Sequence, residues 1–349
     1  MHHIAIDLGS RKSQVCVRDS AGAVVEESAI PTSDLKGWLQ KRELARVIVE
    51  TCAESFGIAM EAKRIGHEVR IVPATLVRQL GVGERRLKND KRDARKLSEV
   101  SARIDLPSVH LPSEQSQKIR ELCTMREALV EARTKLVNTV RSFARMKVRQ
   151  IKSGAAETIA TRMRSAFRDE LPAAVERVLV AIEALNDQLA EADREVQKMA
   201  KANDDCVRLM TAPGVGPVTA LRFVAVVDEV GRFASAHRLE SYLGLVPSES
   251  STGTQQQRFG HITKAGAKKV RWALVQAVWS AKAHYKTDPL VRWGERVALR
   301  RGKKIATVAM ARKLAGVLFA MMRDRKPYDP AQLTRQRWQQ LAAEAPVAS

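Results

Sequence analysis

Aromatic side chains are scarce in this sequence: seven Phe, five Trp and three Tyr among 349 residues. That is too few for extensive base-stacking platforms, so recognition of a polyanion would rest on backbone and shape. Cysteine is scarcer still. Cys16, Cys52, Cys123 and Cys206 stand apart with no CxxC pair, which argues against a disulfide framework or a cysteine-based zinc site and fits a reducing, cytoplasmic compartment. No apolar run approaches the ~18–20 residues of a membrane span, and the opening MHHIAIDLGS lacks the long apolar core of a secretory signal, so no membrane association is expected. Acidic residues are in deficit. Against 39 Asp+Glu stand 60 Lys+Arg, a formal charge of +21. A charge of that size repels itself, and a polyanion relieves the cost by giving up its condensed counterions, so nucleic acid is the expected partner.

What is present reads as globular: 45% apolar and 28% charged residues, in a length suited to roughly two domains of about 150 residues. The first part has an α/β pattern. Alternation predicts strands at His3–Leu8, Gln14–Arg18 and Val24–Ile30, with a turn at Asp19–Gly22. A short helix over Asp34–Leu44, a buried strand at Arg46–Glu50, a helix near Ser55–Arg64, a strand at His67–Val72 and a short helix after Pro73 follow. Pro107 and Pro112 mark the expected end of this domain at residue 112.

From Ser113 the texture becomes helical. Leu122, Leu129, Leu136 and Phe143 recur every seven residues. So do Val175, Ile182, Leu189 and Val196, with Val178, Leu185, Ala192 and Met199 at the companion position. This a/d spacing predicts long coiled-coil helices over 113–206, paired either as an intramolecular hairpin or across a dimer. Residues 207–340 form a third, mostly helical region, and 341–349 a loose tail.

Four carboxylates stand out in the first part. Asp7 ends the first apolar strand, and Glu50 ends the Val47-Ile48-Val49 run. Asp90 and Asp93 share one face of a helix, if the segment is helical. Strand-end acids beside a helix with two more can gather oxygen ligands for two Mg²⁺ ions, which suit phosphoryl transfer. Seven basic residues lie within 85–97, among them Arg85, Arg86, Lys88 and Arg92, so this metal site would face a phosphate backbone.

Ile4-Ala5-Ile6-Asp7-Leu8-Gly9, Ile48-Val49-Glu50-Thr51 and Asn89-Asp90-Lys91-Arg92-Asp93-Ala94-Arg95 resemble the D-E-D-D quartet of a RuvC-like, ribonuclease H-type domain. In this arrangement the chain resembles, over nearly its whole length, the insertion-sequence one-ten family of transposases, the bridge-RNA-guided DEDD/serine recombinases. The resemblance implies a RuvC-like catalytic domain at 1–112, a coiled-coil middle, and a carboxy-terminal transposase domain carrying a serine nucleophile. It also implies donor and target DNA as substrates, a structured non-coding guide RNA, and a homodimer assembling into a tetramer, with one subunit's acids served by another's serine-bearing domain.

Two motifs in the carboxy-terminal region extend this comparison. Pro213-Gly214-Val215-Gly216-Pro217 is similar to a helix-hairpin-helix turn, in which Gly214 and Gly216 would let backbone N–H groups approach a phosphate. In the second, Gly244 to Gly253 is a polar loop, followed by Arg258-Phe259-Gly260-His261-Ile262-Thr263-Lys264 and a basic helix start. In the family a serine immediately before a glycine attacks DNA. Here Thr252 directly precedes Gly253 and Ser251 precedes Thr252. The less hindered primary hydroxyl favours Ser251, while strict alignment favours Thr252. Further cations expected on nucleic acid are Arg258, Lys264, Lys268, Lys269, Arg300, Arg301, Lys303 and Lys304, with Lys147, Arg149 and Lys152 as additional candidates. Ala306, Val308, Ala309, Leu314, Val317, Leu318 and Met321 would form a buried helix face.

Other readings are a RuvC-like junction nuclease without a serine step, a non-catalytic nucleic-acid-binding protein, and an actin- or sugar-kinase-like ATPase. The last rests on Asp7-Leu8-Gly9-Ser10 as a phosphate loop. It lacks a second Asp-x-Gly loop and leaves the positive charge unexplained.

Overall fold

The computed structural model describes the backbone over residues 1–79, 90–250 and 258–331, and side chains over 1–77, 93–248 and 260–331. The chain divides into two compact units, Met1–Pro112 and Ser113–Ser349. Together they are mixed α/β, a five-stranded sheet in the first and a mostly helical second.

The first unit runs β1 (His2–Asp7), β2 (Lys12–Arg18), β3 (Val24–Pro31), α1 (Leu35–Gln40), β4 (Ala45–Glu50), α2 (Ser55–Ile65), β5 (Glu68–Val72), α3 (Ala74–Gln79) and α4 (Asp90–Arg103). The strand order is β3-β2-β1-β4-β5. β1 pairs antiparallel with β2 and parallel with β4; β2–β3 is antiparallel and β4–β5 parallel. This sheet is consistent with a RuvC-like domain. The central strands are apolar on both faces because both are covered. Ile4, Ile6, Val47 and Val49 pack with Leu35 and Leu39 of α1 and Ala59 and Ala62 of α2. Ala5 and Ile48, on the opposite pleat, pack with Val72, Val77 and Leu97. Buried His67 ties the first layer to the sheet. Its Nδ1 accepts from the Ala45 N–H at 3.1 Å, which leaves its protonated Nε2 to donate to the Leu39 carbonyl at 3.2 Å.

The second unit runs α5 (Glu114–Met146), α6 (Ile159–Phe167), α7 (Ala173–Lys201), α8 (Asp204–Leu209), α9 (Pro217–Val227), α10 (Ala236–Tyr242), β6 (Pro247–Ser250), β7 (Arg258–Ile262), α11 (Lys268–His284), α12 (Pro289–Arg301) and α13 (Lys303–Asp324). α5 and α7 pack against each other within the chain. In α7 the expected Ile182, Leu189 and Val196 are buried. In α5 the buried stripe is Ile119, Cys123, Val137, Val140 and Ala144, while Leu122, Leu129, Leu136 and Phe143 flank it half-buried. The seam lies one position away from the leucine repeat because its middle positions are Arg126 and Arg133. These reach Asp193 on α7 and Glu157 with Asn186, respectively.

The carboxy-terminal core surrounds α9, whose residues are buried almost all round, as befits a central helix. α13 contributes to the same core. By length and composition it passes for a membrane span, which corrects the expectation that no segment would. Half of its apolar window is buried within this unit, with Met310, Leu314, Leu318 and Phe319 in the core. Pro247–Ser250 and Arg258–Ile262, expected as loop and helix approach, form an antiparallel pair instead, with Ser250 opposite Arg258.

Candidate active site

Asp7 and Glu50 each lie one residue beyond the Ile6–Val49 pair, at the carboxyl ends of the neighbouring parallel strands β1 and β4. Alternation along the pleat assigns both to the face of Ala5 and Ile48, the face on which α4 packs, and both are half-buried. The turns behind them are anchored. The Thr51 N–H donates to the Val72 carbonyl at 2.9 Å, and the Ala74 N–H to the Thr51 hydroxyl at 3.0 Å. Gly9 is required by close approach, since a Cβ there would lie 2.3 Å from the Lys12 carbonyl oxygen.

The polar face of α4 sets its direction. Ser101 Oγ is hydrogen-bonded to His3 Nδ1 (2.9 Å) at the start of β1, and Ser98 Oγ accepts from Arg18 Nε (2.9 Å) on β2. Ala94, Leu97, Ser98 and Ser101 are all buried. From His3 to Asp7 a strand climbs ~13 Å, and from Ser101 back to Asp93 a helix covers ~12 Å. α4 thus runs against β1 and carries Asp93, in its first turn, towards the end of the sheet where Asp7 and Glu50 lie. Asp90 opens the same helix; its side chain lies outside the described residues. Among the described residues no group of three or more potential ligands is gathered closely enough to hold an ion. The donor chemistry still fits Mg²⁺, because the described members of the quartet are all carboxylates, the hard oxygen ligands that this cation takes.

Arg85, Arg86 and Lys88 lie outside the described residues, as do the side chains of Arg92 and Arg258. Ser251 and Thr252 also lie outside them, between β6 and β7. The expected phosphate contact at Gly214 meets a competing explanation. Its φ is +76°, and a Cβ would fall 2.0 Å from the Ala277 carbonyl oxygen and 2.7 Å from the Ala281 nitrogen, so the missing side chain serves close packing on α11. Gly214→Ala should therefore cost about 2–4 kcal/mol through strain and overpacking, read as a lowered urea midpoint. Gly216 caps α9 with open space beside it.

The remaining basic candidates divide in two. Lys269 is held in ion pairs with Glu127 (2.6 Å) and Glu131 (3.6 Å), and its hydrogen bond to Glu127 raises its pKa. Arg149 reaches Glu170 on the surface. Lys147, Lys152, Lys264, Lys268, Arg300, Arg301, Lys303 and Lys304 are exposed. Arg300 and Arg301 end α12, where a cation suits the helix dipole. Lys303 and Lys304 start α13 with no acid in the first turn, where the dipole opposes them. Cations kept at an unfavourable helix end gain most from a polyanion.

Two features were not anticipated from the sequence. One is the β6–β7 pair, whose first strand, Pro-Ser-Glu-Ser at Pro247–Ser250, gives no apolar alternation. The other is Arg222, 7% exposed in the middle of α9, donating to Glu127 at 2.8 Å and to the Cys123 carbonyl at 3.3 Å. A lone arginine inside the apolar run Pro217–Val227 was the available signal.

Two family models match the chain. A transposase model of the IS110 DEDD type covers residues 4–146, and one described as transposase IS116/IS110/IS902 family covers residues 206–292. A probable family 20 transposase of Pseudomonas aeruginosa is 28% identical over 95% of this chain and 99% of its own. The transposase for insertion sequence element IS1111A of Coxiella burnetii is 26% identical over 93% and 90%. More distant is a pilin gene-inverting protein of Moraxella lacunata, 24% identical over 75% of each. With a sheet that places Asp7 and Glu50 at neighbouring strand ends, and family matches in both units, the chain belongs to the IS110 family of insertion-sequence transposases.

Proposed function

We propose that this transposase is a Mg²⁺-dependent, RNA-guided DNA recombinase with a covalent phosphoserine intermediate. Asp7, Glu50, Asp90 and Asp93 are the ligand set, in the RuvC-like region 1–112, and the hydroxyl comes from the 251–252 segment of region 207–340. The observation that carries this is the pairing of Asp7 and Glu50 at adjacent parallel strand ends, with α4 bringing Asp93 over the same face. Mg²⁺ held there would stabilise the charge on attacking and leaving oxygens.

The chain's own chemistry is nucleophilic. The serine hydroxyl gives up its proton as Oγ attacks the scissile phosphorus, an Oγ–P bond forms, the P–O bond to one sugar breaks, and the departing oxygen takes up a proton in exchange. A phosphoester is kept throughout, so the hydroxyl of an incoming strand can reverse the step on a new partner. The name of the Moraxella relative, a gene-inverting protein, accords with such breakage and rejoining.

Guidance by a structured RNA and assembly as paired dimers rest on the family resemblance. The exposed cations and the scarcity of aromatics support a protein that grips backbones and leaves sequence reading to base pairing. Treating the purified complex with ribonuclease before adding DNA should abolish site-specific strand exchange, and adding back the co-purified RNA should restore it. Exchange that persists without RNA would leave a protein-guided transposase. Cleavage without any protein–DNA adduct would favour the junction-nuclease chemistry instead.

A further inference from the structure

At the start of α11 a cavity of about 420 Å³ opens between α5, α9 and α10. Among the described residues of its wall, Arg120, Arg222, Lys268 and Lys269 contribute four cations, against the single carboxylate of Glu127. Burial alone would raise the Glu127 pKa, but hydrogen bonds from Lys269 and Arg222 hold it below the ordinary range, so the carboxylate is already neutralised from two sides. α11 is 17 residues long and begins at Ala267 without a side-chain cap. The first-turn N–H groups of such a helix have no intrahelical acceptor, and the positive end of its dipole lies here. Lys268 and Lys269 add charge of the sign the dipole opposes, and the first turn holds no acid. Independently, buried Arg222 in the wall uses only Nη2, on Glu127 and the Cys123 carbonyl, and its Nε and Nη1 have no hydrogen-bond partner among the described residues. Leaving a guanidinium half satisfied in the interior is costly unless an anion shares the region.

The surroundings indicate what carries that anion. Ile119, Val226, Val270 and Tyr242 also line the cavity, largely apolar surface that a free inorganic ion would not use. Trp272 and Trp279 lie one and about three turns beyond Lys268 on α11 and are 55% and 56% exposed, in a chain with only five tryptophans. We propose that this cavity seats a backbone phosphate of a single-stranded nucleic-acid segment, with neighbouring bases stacking along Trp272 and Trp279. The inference rests on the nucleic-acid reading above and adds to it a defined anchoring point immediately after β7.

The test places a competing carboxylate at the helix start. Ala267→Asp supplies the missing N-cap, so it should raise the urea midpoint while occupying the anion position. Val180→Asp, at an exposed position of α7, adds the same charge elsewhere. Binding of labelled single-stranded DNA and RNA 12-mers is measured across a salt series, with inorganic phosphate titrated separately. Ala267→Asp should bind the 12-mers about 10-fold more weakly than Val180→Asp, with a salt slope shallower by about 0.7. Lys268→Gln should act in the same direction, and so gives the readout if Ala267→Asp fails to fold. Trp272→Leu should weaken the 12-mers and leave phosphate binding unchanged. Equal affinities and slopes for Ala267→Asp and Val180→Asp would overturn the proposal. So would a pocket that takes inorganic phosphate while the 12-mers ignore Ala267→Asp. A wild-type protein that binds neither 12-mer would instead remove the nucleic-acid reading beneath it.

Discussion

Asp7→Asn is expected to slow Mg²⁺-dependent DNA strand cleavage by about 10³-fold, the kinetic equivalent of about 4 kcal/mol. The substitution is nearly isosteric and sits at a strand end, so the melting curve should move little. Glu50→Gln should behave alike, because the register of β1 against β4 gives the two acids equivalent positions. Glu26→Gln on β3 is the control. That carboxylate belongs to the same sheet but is engaged by Arg42 on the surface, so its loss should leave cleavage unchanged. Asp7→Cys offers a sharper readout. A thiolate prefers softer ions, so activity recovered with Mn²⁺ or Cd²⁺ and not with Mg²⁺ would identify the side chain as a ligand. Asp7→Asn with full cleavage and an unchanged metal requirement would remove the two-metal account.

The second large effect concerns the hydroxyl donor. Incubating the protein, its RNA and target DNA with Mg²⁺, then denaturing, should leave a protein–DNA adduct, and mass spectrometry should map it to Ser251. Ser251→Ala should reduce the adduct to background and abolish strand exchange, since no other group forms the Oγ–P bond. Thr252→Ala should retain the adduct. The reverse result would assign the nucleophile to Thr252, in keeping with its position directly before Gly253. Single-strand nicks that accumulate without an adduct in the wild type would sink the covalent mechanism and leave hydrolysis by the carboxylate site.

Much of the first unit is legible in the sequence. Strand alternation around Ile4-Ala5-Ile6, the continuous Val47-Ile48-Val49 run and the turn residues at Asp19–Gly22 are local signals, and β1, β2, β3, β4 and β5 fall within a few residues of the ranges they predict. The acids at strand ends were visible for the same reason. The Leu122–Phe143 repeat flanks the buried stripe of α5 rather than forming it, because a helix presents whichever stripe its partners can cover. Arg126 and Arg133 occupy that stripe in ion pairs with other elements, and an apolar repeat count passes over them. The reading of Gly214 was incomplete in a similar way. A glycine-rich turn announces freedom of backbone, but only the neighbour at Ala277 explains what the freedom is for.

By itself, then, the sequence determined the positive charge, the local periods of strand and helix, and the residue types able to hold a hard cation or attack a phosphate. These depend on composition and near neighbours along the chain. Tertiary structure alone decided which way α4 lies across the sheet, which acids therefore share a face, which lysine is spent on Glu127, and that Arg222 is buried beside an uncapped helix. Those outcomes depend on partners far apart in sequence, whose meeting is set by packing and by the cost of leaving a buried polar group unpaired.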